Sequence, residues 1–581
     1  MAVRSTFAGL NTMYRGISTN RLALDTVGHN MSNAGAVGYS RQSVNQAAVM
    51  PDKIYANGTQ QYVGSGVDSL SITRARDVYA DKKYWAENGT QKYLTTRENN
   101  YGKVEEIFND SQDTGVKNAV TEFYKALSDW STNNSDVSER VAVLEKASIL
   151  SERINRSGEQ LQSQITSLYN DITANVAKVN EITDNIVSLN RSIMALEAAG
   201  GSANDLRDAR DNLADELSGY MSVSISEEKD TSMYTIVCNG ATIVNGITKI
   251  DLKMGPRDDD GNVIGMHNKD YGLTDYNIEL GDTGVVFDPL NGTLAAEVDA
   301  IAEDKKYIDK LADMASFLLV QFNGQHQQGA GMDANNTTGT NFFGDNKTIY
   351  TWEADANGNY RTVATAYADG LTATKYLKKD ADGNYIKNAD GNFEVGITVA
   401  GSGTATAEEL KGILAIKALA VNPILNEVDG EKKLAGQAWV MPPSITDPTK
   451  PESETDMTLV VANGTADGTN GVLMSTLFNL GNTSLNSTTC SIGTNSFESY
   501  YNSIMTAMGV DSAACKANLQ AQEDLVEEVE KWRSATSGVN WDEELTNMIT
   551  FQQGYSACSR CLTTMDEMLD RLINSTGMVG R

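Results

Sequence analysis

The sequence predicts an elongated, multidomain α+β protein, with a terminal helical coiled coil, a long helical bundle and β-rich inserted domains. Three observations support this fold class. Apolar residues recur at alternating four- and three-residue steps near both ends of the chain. No proline occurs between Pro51 and Pro256, or after Pro451, so long helices can form there. Asp-Gly and Asn-Gly turns, typical of β-hairpins, gather in the middle.

The first 32 residues predict a helix that ends between Asn30 and Gly35, because Asn and Gly adopt the conformation that closes a helix. A matching apolar stripe runs along the last helix of the chain. We expect the two helices to pair, with both termini at one end of the molecule, and their stripes to form an assembly seam. The predicted seam residues are Val3, Phe7, Leu10, Tyr14, Ile17, Leu24, Met31, Met548, Phe551, Tyr555, Cys558, Leu562, Met565, Leu569 and Leu572.

The longest helical pattern covers residues 150–198, which keep one apolar stripe with a single fault at Asn175. At the rise of an α-helix this segment is roughly 70 Å long, which suits an elongated bundle. Gly200 and Gly201 end it, and a returning helix follows. Residues 294–326 and the segment from 497 onward are also predicted to be helical.

Two segments between the helices predict β structure. Residues 222–290 alternate apolar and polar side chains, and residues 341–480 combine glycine-rich turns with strand formers and a short helix at 407–419. We therefore predict four units. They are a terminal coiled-coil domain (1–45 with 540–581), a helical bundle domain (46–221 with 291–340 and 481–539), a small β region (222–290) and an outer β-rich insertion (341–480).

The net charge of −30 excludes several partners. Nucleic-acid binders need a basic face to displace counterions, and an anionic membrane surface would repel this chain. No apolar run approaches the roughly 18 residues of a membrane helix. The N-terminus also lacks the apolar segment and cleavage site of a cleaved secretory signal.

Two motifs resemble reactive or metal-binding sites, but structural roles explain them better. The pair Cys558 and Cys561 has Cys-x-x-Cys spacing, but no βαβ context or further metal ligands accompany it. We interpret Cys558 as a small apolar residue of the seam. The Asp-Gly-Asn repeat around Gly383 has Lys378 and Ala389 where a calcium loop needs acids, so we interpret it as a hairpin turn. We predict no catalytic, cofactor-binding or metal-binding residues, and no enzyme.

Both ends of the chain resemble bacterial flagellar axial proteins. The N-terminal signature is "GLNTMYRGISTNRLALDTVGHNMSNAGAVGYSRQ", with "NMSNA" and "GYSRQ" after an amphipathic helix. The C-terminal segment 537–575, which includes "NWDEELTNMITFQQGYSACSR", is similar to one family in this group, the flagellar hook-associated protein 1 family of the hook–filament junction.

The resemblance implies a structural component of the flagellum that forms the junction ring between hook and filament and transmits torque. The implied partners are other copies of the chain, the hook protein, the third hook-associated protein and an export chaperone on the C-terminal helix. The implied location is extracellular, after export through the flagellar channel. No cofactor, nucleic acid or membrane is implied.

Two other interpretations remain open at this stage. Another axial part, such as a hook or rod protein, would share the terminal stripes. A secreted coiled-coil adhesin would share the acidic β insertion, but it need not have matching stripes at both ends.

Overall fold

The structure is a computed structural model that describes residues 7–56, 59–108, 115–228, 231–258, 261–354, 360–368, 370–403, 406–442, 456–480 and 491–575. Long helices dominate it and several small antiparallel sheets interrupt them, which confirms the predicted α+β class. The helices are α1 (Ala8–Asn33), α2 (Val78–Phe108), α3 (Val116–Thr132), α4 (Val137–Ala198), α5 (Asn204–Tyr220), α6 (Gly292–Phe317), α7 (Asn323–His326), α8 (Ile413–Ala418), α9 (Thr469–Leu480), α10 (Phe497–Ser537) and α11 (Trp541–Ser575).

Helix α4 is the longest element, with 62 residues and a length of about 90 Å. It begins earlier than predicted because Asp136 caps it, accepting a hydrogen bond from the Ser138 N–H at 2.9 Å. Its apolar stripe is buried along most of its length, from Leu161 to Ile193. The predicted long bundle helix is therefore confirmed, and it also includes residues 137–149.

The main core lies where α2, α3, α4, α6 and α10 pack together. Aromatic rings converge at one end of it, with Phe123 in edge or tilted contact with Phe322, Phe342, Phe343 and Phe478. Such pairs add stabilisation beyond the area they bury. The residues of this core are buried by contacts within one chain.

Residues 42–56 and 59–74 form β structure, although the sequence predicts most of them to belong to the helical bundle domain. Strands β1 (Gln42–Ala48) and β4 (Val67–Arg74) pair antiparallel, and β2 (Asp52–Ala56) pairs with β3 (Thr59–Val63) beyond them. Glycine provides the positive φ of +97° that the chain needs at Gly66, directly before β4. The segment is an extended ribbon rather than part of the bundle.

The small β region contains three sheets. Its strands are β5 (Ser224–Glu227), β6 (Tyr234–Cys238), β7 (Ala241–Asn245), β8 (Thr248–Lys249), β9 (Leu252–Gly255), β10 (Met266–Asn268), β11 (Leu273–Asp275) and β12 (Asn277–Leu280). Strands β5 to β8 form one antiparallel sheet in chain order, and β9 pairs with β12. The alternation of side chains predicted this region correctly.

The insertion carries two further sheets, with orders β13-β14-β17 and β15-β16-β18-β19. The strands are β13 (Thr348–Ala354), β14 (Tyr360–Ala366), β15 (Leu371–Leu377), β16 (Phe393–Gly401), β17 (Thr406–Leu410), β18 (Trp439–Met441) and β19 (Val461–Ala462). Asp380 closes one predicted turn by accepting hydrogen bonds from the Asp382 and Asn384 N–H groups. Gly383 in this turn has a φ of +86°.

Part of this insertion is not an outer appendage. Its second sheet has a small core of its own around Phe393 and Trp439. In contrast, Ile413, Ile416 and Phe478 are buried in the main core with the bundle helices. Residues 341–480 therefore contribute side chains to the main core and also form a small core of their own, and the boundaries of the outer insertion stay a prediction.

Candidate assembly surface

The terminal helices α1 and α11 pack against each other along their length in an antiparallel direction. Asn30 contacts Glu544 at one end. A Cβ atom placed on Gly16 would lie 2.9 Å from the Cys558 Sγ, closer than real Cβ contacts allow. Glycine therefore lets the two backbones approach closely, and the predicted pairing of the terminal helices is present within one chain.

The C-terminal half of the predicted seam faces this contact. Cys558 lies on Gly16, and the Met565 Sδ would lie 2.9 Å from a Cβ on Gly9. Among the other described seam residues of α11, Tyr555 is exposed. The half-buried ones are Met548, Phe551, Leu562 and Leu569. The side chain of Leu572 lies outside the described residues.

On α1 the buried stripe is displaced by one residue from the predicted seam. The buried positions include Gly16, Ala23, Val27 and Asn30, whereas Phe7 is 55% exposed and Tyr14 is 65% exposed. One residue along a helix is a rotation of about 100°, so the large side chains lie on a neighbouring face. The half-buried seam residues are Leu10, Ile17, Leu24 and Met31. Val3 lies outside the described residues.

A second exposed apolar strip runs along the start of α11. Trp541, Leu545 and Ile549 follow one another at four-residue steps and are 57%, 49% and 49% exposed. Residues spaced by four lie on one side of a helix. The terminal helix pair thus presents apolar side chains to solvent from both of its helices.

Asn30, in the "NMSNA" motif, anchors the base of this helix pair. Its Nδ2 donates to the Gln42 carbonyl at 2.9 Å and to the Glu544 Oε2 at 3.0 Å. Its Oδ1 accepts from the Gln42 N–H at 2.9 Å and the Tyr39 hydroxyl at 2.8 Å. Burial, with the nearby carboxylates, raises the pKa of Tyr39, so its hydroxyl stays protonated and donates. One buried amide therefore joins α1, the following loop and α11.

Arg41, in the "GYSRQ" motif, connects the same loop to the start of α11. Its Nε donates to the Glu544 Oε1 at 2.7 Å, and its Nη1 donates to the Glu543 Oε2 at 3.0 Å. Its backbone N–H donates to the Ser537 carbonyl at 2.8 Å, at the end of α10. Glu544 is almost completely buried, so removing Arg41 would leave its charge without compensation.

The neighbouring residues connect this anchor to the bundle. The Ser40 N–H donates to the Asp208 Oδ2 at 2.9 Å, and the Gln42 Nε2 donates to the Asp205 Oδ1 at 2.7 Å. Both aspartates lie on α5. We call Asn30, Arg41, Gln42, Asp208 and Glu544 the polar anchor.

A ladder of buried ion pairs extends from the polar anchor into the bundle. Arg74 binds Asp208 and Asp211 at 2.6 Å each. Arg533 on α10 binds Asp215 at 2.8 Å. Burial raises the pKa of Asp215, and Arg533 opposes that effect. Paired charges with several hydrogen bonds fix orientation, because each partner has one geometry that satisfies it.

Within the described residues, the cysteine and histidine side chains that could carry chemistry have structural roles. Cys238, Cys515, Cys558 and Cys561 are all free thiols, and Cys490 lies outside them. His326 is fully buried between the Thr340 carbonyl and the Ala435 N–H, and burial lowers its pKa to about 4. Across the part of the chain that the structure describes, no three His, Cys, Asp or Glu side chains are grouped to hold a metal ion. None of the described helices has the length and apolar composition of a membrane span.

Known proteins share this architecture. A family model described as the flagellar hook-associated protein FlgK helical domain matches residues 101–343. Another, described as flagellar basal body rod FlgEFG protein C-terminal, matches residues 533–575.

Curated relatives match nearly the whole chain. Flagellar hook-associated protein 1 of Bacillus subtilis is 24% identical over 99% of this chain and all of its own length. Its counterpart in Escherichia coli is 26% identical over 97% of this chain and 99% of its own length. The solved structure of the flagellar hook junction protein FlgK from Burkholderia pseudomallei is 17% identical, covers 78% of this chain and all of that chain, and has a TM-score of 0.53.

Proposed function

The chain belongs to the flagellar hook-associated protein 1 family, and on that premise we propose that it is a structural component of the flagellum, not an enzyme. Copies of the chain form the junction ring between hook and filament and transmit torque through it. The ring contacts hook protein on one side and the third hook-associated protein on the other. Its location is extracellular.

The observation that carries this proposal is the uncovered apolar stripe of the terminal helix pair. Phe7 and Tyr14 are more than half exposed, whereas the apolar stripe of α4 in the bundle is buried along most of its length. Burying an aromatic side chain stabilises a contact by about 2 kcal/mol. In a ring the same contact recurs in every subunit. The seam side chains that stay exposed in residues 1–45 and 540–581, such as Phe7, Tyr14 and Tyr555, therefore act as the assembly surface between copies.

The polar anchor and helix α4 supply the mechanical part. The anchor fixes the angle between the terminal helix pair and the bundle through buried and half-buried hydrogen bonds of 2.7–3.0 Å, including the bond from Gln42 to Asp205 on α5. Helix α4 then extends about 90 Å through a closed core. A load applied at the seam is carried into a rigid body rather than absorbed by a loose hinge.

A double substitution, Phe7→Ser with Tyr14→Ser, tests the assembly surface. We expect the secreted variant to melt like the wild type, because both side chains are exposed in the single chain. We expect it to form no ring, so that cells carry hooks without filaments and release filament protein into the medium. Val428→Ser is the matched control, since Val428 is 94% exposed but lies in the insertion. Normal filaments on the double variant would refute the assembly surface.

The substitution Leu569→Asp distinguishes a role of this residue in assembly from a role in export. Leu569 is half-buried on the seam of α11, where a charge is desolvated when a second copy packs on it. Export is proposed to run through the flagellar channel without a cleaved signal peptide, with a chaperone on the C-terminal helix. Variant protein that is secreted but unassembled supports the seam. Variant protein that is retained in the cell indicates that Leu569 contacts the chaperone instead.

One observation favours a second candidate, a hook or rod protein. Residues 533–575 match a family model of basal body rod proteins. Immunoelectron microscopy of the tagged chain distinguishes the two. Label at the distal end of the hook supports the junction, and label along the hook or inside the basal body supports the alternative.

A further inference from the structure

Helix α6 carries two acidic side chains into the interior of the central bundle. Glu297 is 4% exposed and Asp304 is 0% exposed, and they lie two turns apart. Residues seven apart lie on the same side of a helix. Acidic side chains are almost never fully buried unless they are paired.

The partners of these carboxyl groups are neutral amides. The Asn175 Nδ2 on α4 donates to the Glu297 Oε1 at 2.7 Å. The Asn100 Nδ2 on α2 donates to the Asp304 Oδ1 at 2.9 Å, and the Gln164 Nε2 on α4 supports Asn100 with a bond of 3.0 Å to its Oδ1. Each amide satisfies one carboxyl oxygen.

The second oxygen of each group has no hydrogen-bond partner. Both the Glu297 Oε2 and the Asp304 Oδ2 are inaccessible to solvent and unpaired. An ionised carboxylate needs partners for both oxygens when it leaves water, and the free energy of burying it rises steeply without them. Protonation removes the charge and most of that free energy.

The charges that face the pair do not neutralise it. Glu297 faces Asp171 on α4, Lys103 on α2 and the Tyr220 phenol of α5. Asp304 faces Arg97 and Lys103 on α2 and its own neighbours Glu303 and Tyr307. Arg97 is already bound to Glu303. From α10, Asp511 faces Tyr307, so it adds negative charge rather than positive.

We propose that this pair of buried carboxyl groups makes the central bundle respond to pH, being most stable in mildly acidic solution and losing stability as the solution passes neutrality. This response is a property of the single chain and does not depend on assembly.

The direction follows from proton binding. Burial raises the pKa of both Glu297 and Asp304 to about 7, above the ordinary range of a carboxyl group in the unfolded chain. Between that range and pH 7 the folded chain binds more protons than the unfolded chain. The resulting stability is fully present below the ordinary pKa and is lost as the pH rises through about 7.

The test is thermal unfolding of the full chain between pH 5.5 and pH 8. We expect the unfolding temperature of the wild type to fall by on the order of 5 °C over this interval. In the double variant Glu297→Gln with Asp304→Asn, which keeps the shape and the amide contacts, the fall should be less than half as large. The variant should also unfold at a higher temperature than the wild type at pH 8.

The matched control removes two charges from the surface of the same bundle. Glu105 and Glu106 on α2 are exposed, so Glu105→Gln with Glu106→Gln lowers the net negative charge equally. This control should keep the wild-type slope, which separates the buried pair from the general repulsion of a chain with net charge −30. If the buried variant keeps the wild-type slope, or the control loses it as much, the proposal is wrong. Should the double variant not fold, each single variant must show part of the reduction.

Discussion

The central bundle and the terminal helix pair are both built from long helices with a repeating apolar stripe, yet they differ in how much of that stripe is covered. Leu161 and Ile165 of α4 are completely buried, whereas Phe7 and Tyr14 of α1 are more than half exposed. The same sequence pattern thus ends in a closed core in one region and an open surface in the other. On the proposed function, the difference separates the region that folds alone from the region whose apolar stripe is covered by further chains.

The contacts inside the two regions also differ in kind. The bundle packs large apolar side chains such as Phe123 and Phe322 against each other. The terminal pair packs glycines on sulfur atoms, as Gly16 does on Cys558. Close backbone contact uses the small side chains of α1, so its large ones remain available on the neighbouring face.

The largest expected effect comes from placing a charge in the buried core of the central bundle. Leu161→Asp places an unpaired carboxylate where no water reaches, so we expect the free energy of unfolding to fall by about 4 kcal/mol or more. Chemical denaturation of the single chain measures it. Ser163→Asp is the control, because Ser163 is exposed on the same turn and should change stability by less than about 0.5 kcal/mol. Similar losses in both variants would show that α4 is not buried as described.

The next effect concerns the polar anchor between the two regions. Asn30→Ala leaves the Gln42 N–H, the Tyr39 hydroxyl and one Glu544 oxygen without a partner, so we expect α1 to open more easily by about 2–3 kcal/mol. Hydrogen exchange of the α1 amides measures the opening, while the bundle amides should stay protected. Asn33→Ala is the control, since within the described residues the Asn33 side chain bonds only to His29 of its own helix. Equal exchange in the two variants would argue against the anchor.

The sequence predicted the regions whose signals are local. The stripe of α4 follows from the helical period alone, and the turn around Gly383 follows from Asp-Gly-Asn. The ribbon at 42–74 carries no such signal, because its side chains are mostly exposed and its strands gain little from alternation.

The candidate surface was only partly predictable, for a physical reason. The pattern of large apolar residues on α1 includes Phe7 and Tyr14. The buried face of α1, however, carries small residues such as Gly16 and Ala23. The roles of Asn30 and Arg41 depend on Glu544, which is more than 500 positions away in the chain. The sequence motifs contain Asn30 and Arg41, but they do not show which residues these two side chains contact.

A moderate effect would test the glycine contact of the terminal pair. In Gly16→Ala, the new Cβ meets the Cys558 Sγ at 2.9 Å, so we expect the contact to weaken by about 1–2 kcal/mol despite the better helix propensity of alanine. Cys558→Ala alone should cost about 1 kcal/mol. The double variant should recover most of the loss, because the clash is removed. Hydrogen exchange of α1 measures all three, and strictly additive losses would mean that the two residues do not touch.

The smallest expected effect is that of removing the exposed Tyr14 of the terminal pair, and the buried Tyr101 of the bundle is its reference. Tyr101 is 4% exposed in the bundle and donates its hydroxyl proton to Glu303 at 2.9 Å, so Tyr101→Ala should lower the free energy of unfolding by about 3 kcal/mol. Tyr14→Ala removes the same atoms from an exposed site, so we expect a change below about 0.5 kcal/mol in the single chain. Denaturation of both variants under one condition measures the contrast. If Tyr14→Ala cost more than about 1 kcal/mol, the stripe of α1 would be covered within the chain itself, because only a buried ring contributes that much. The terminal pair would then be a closed core like the bundle, and it would offer no apolar surface for a second copy.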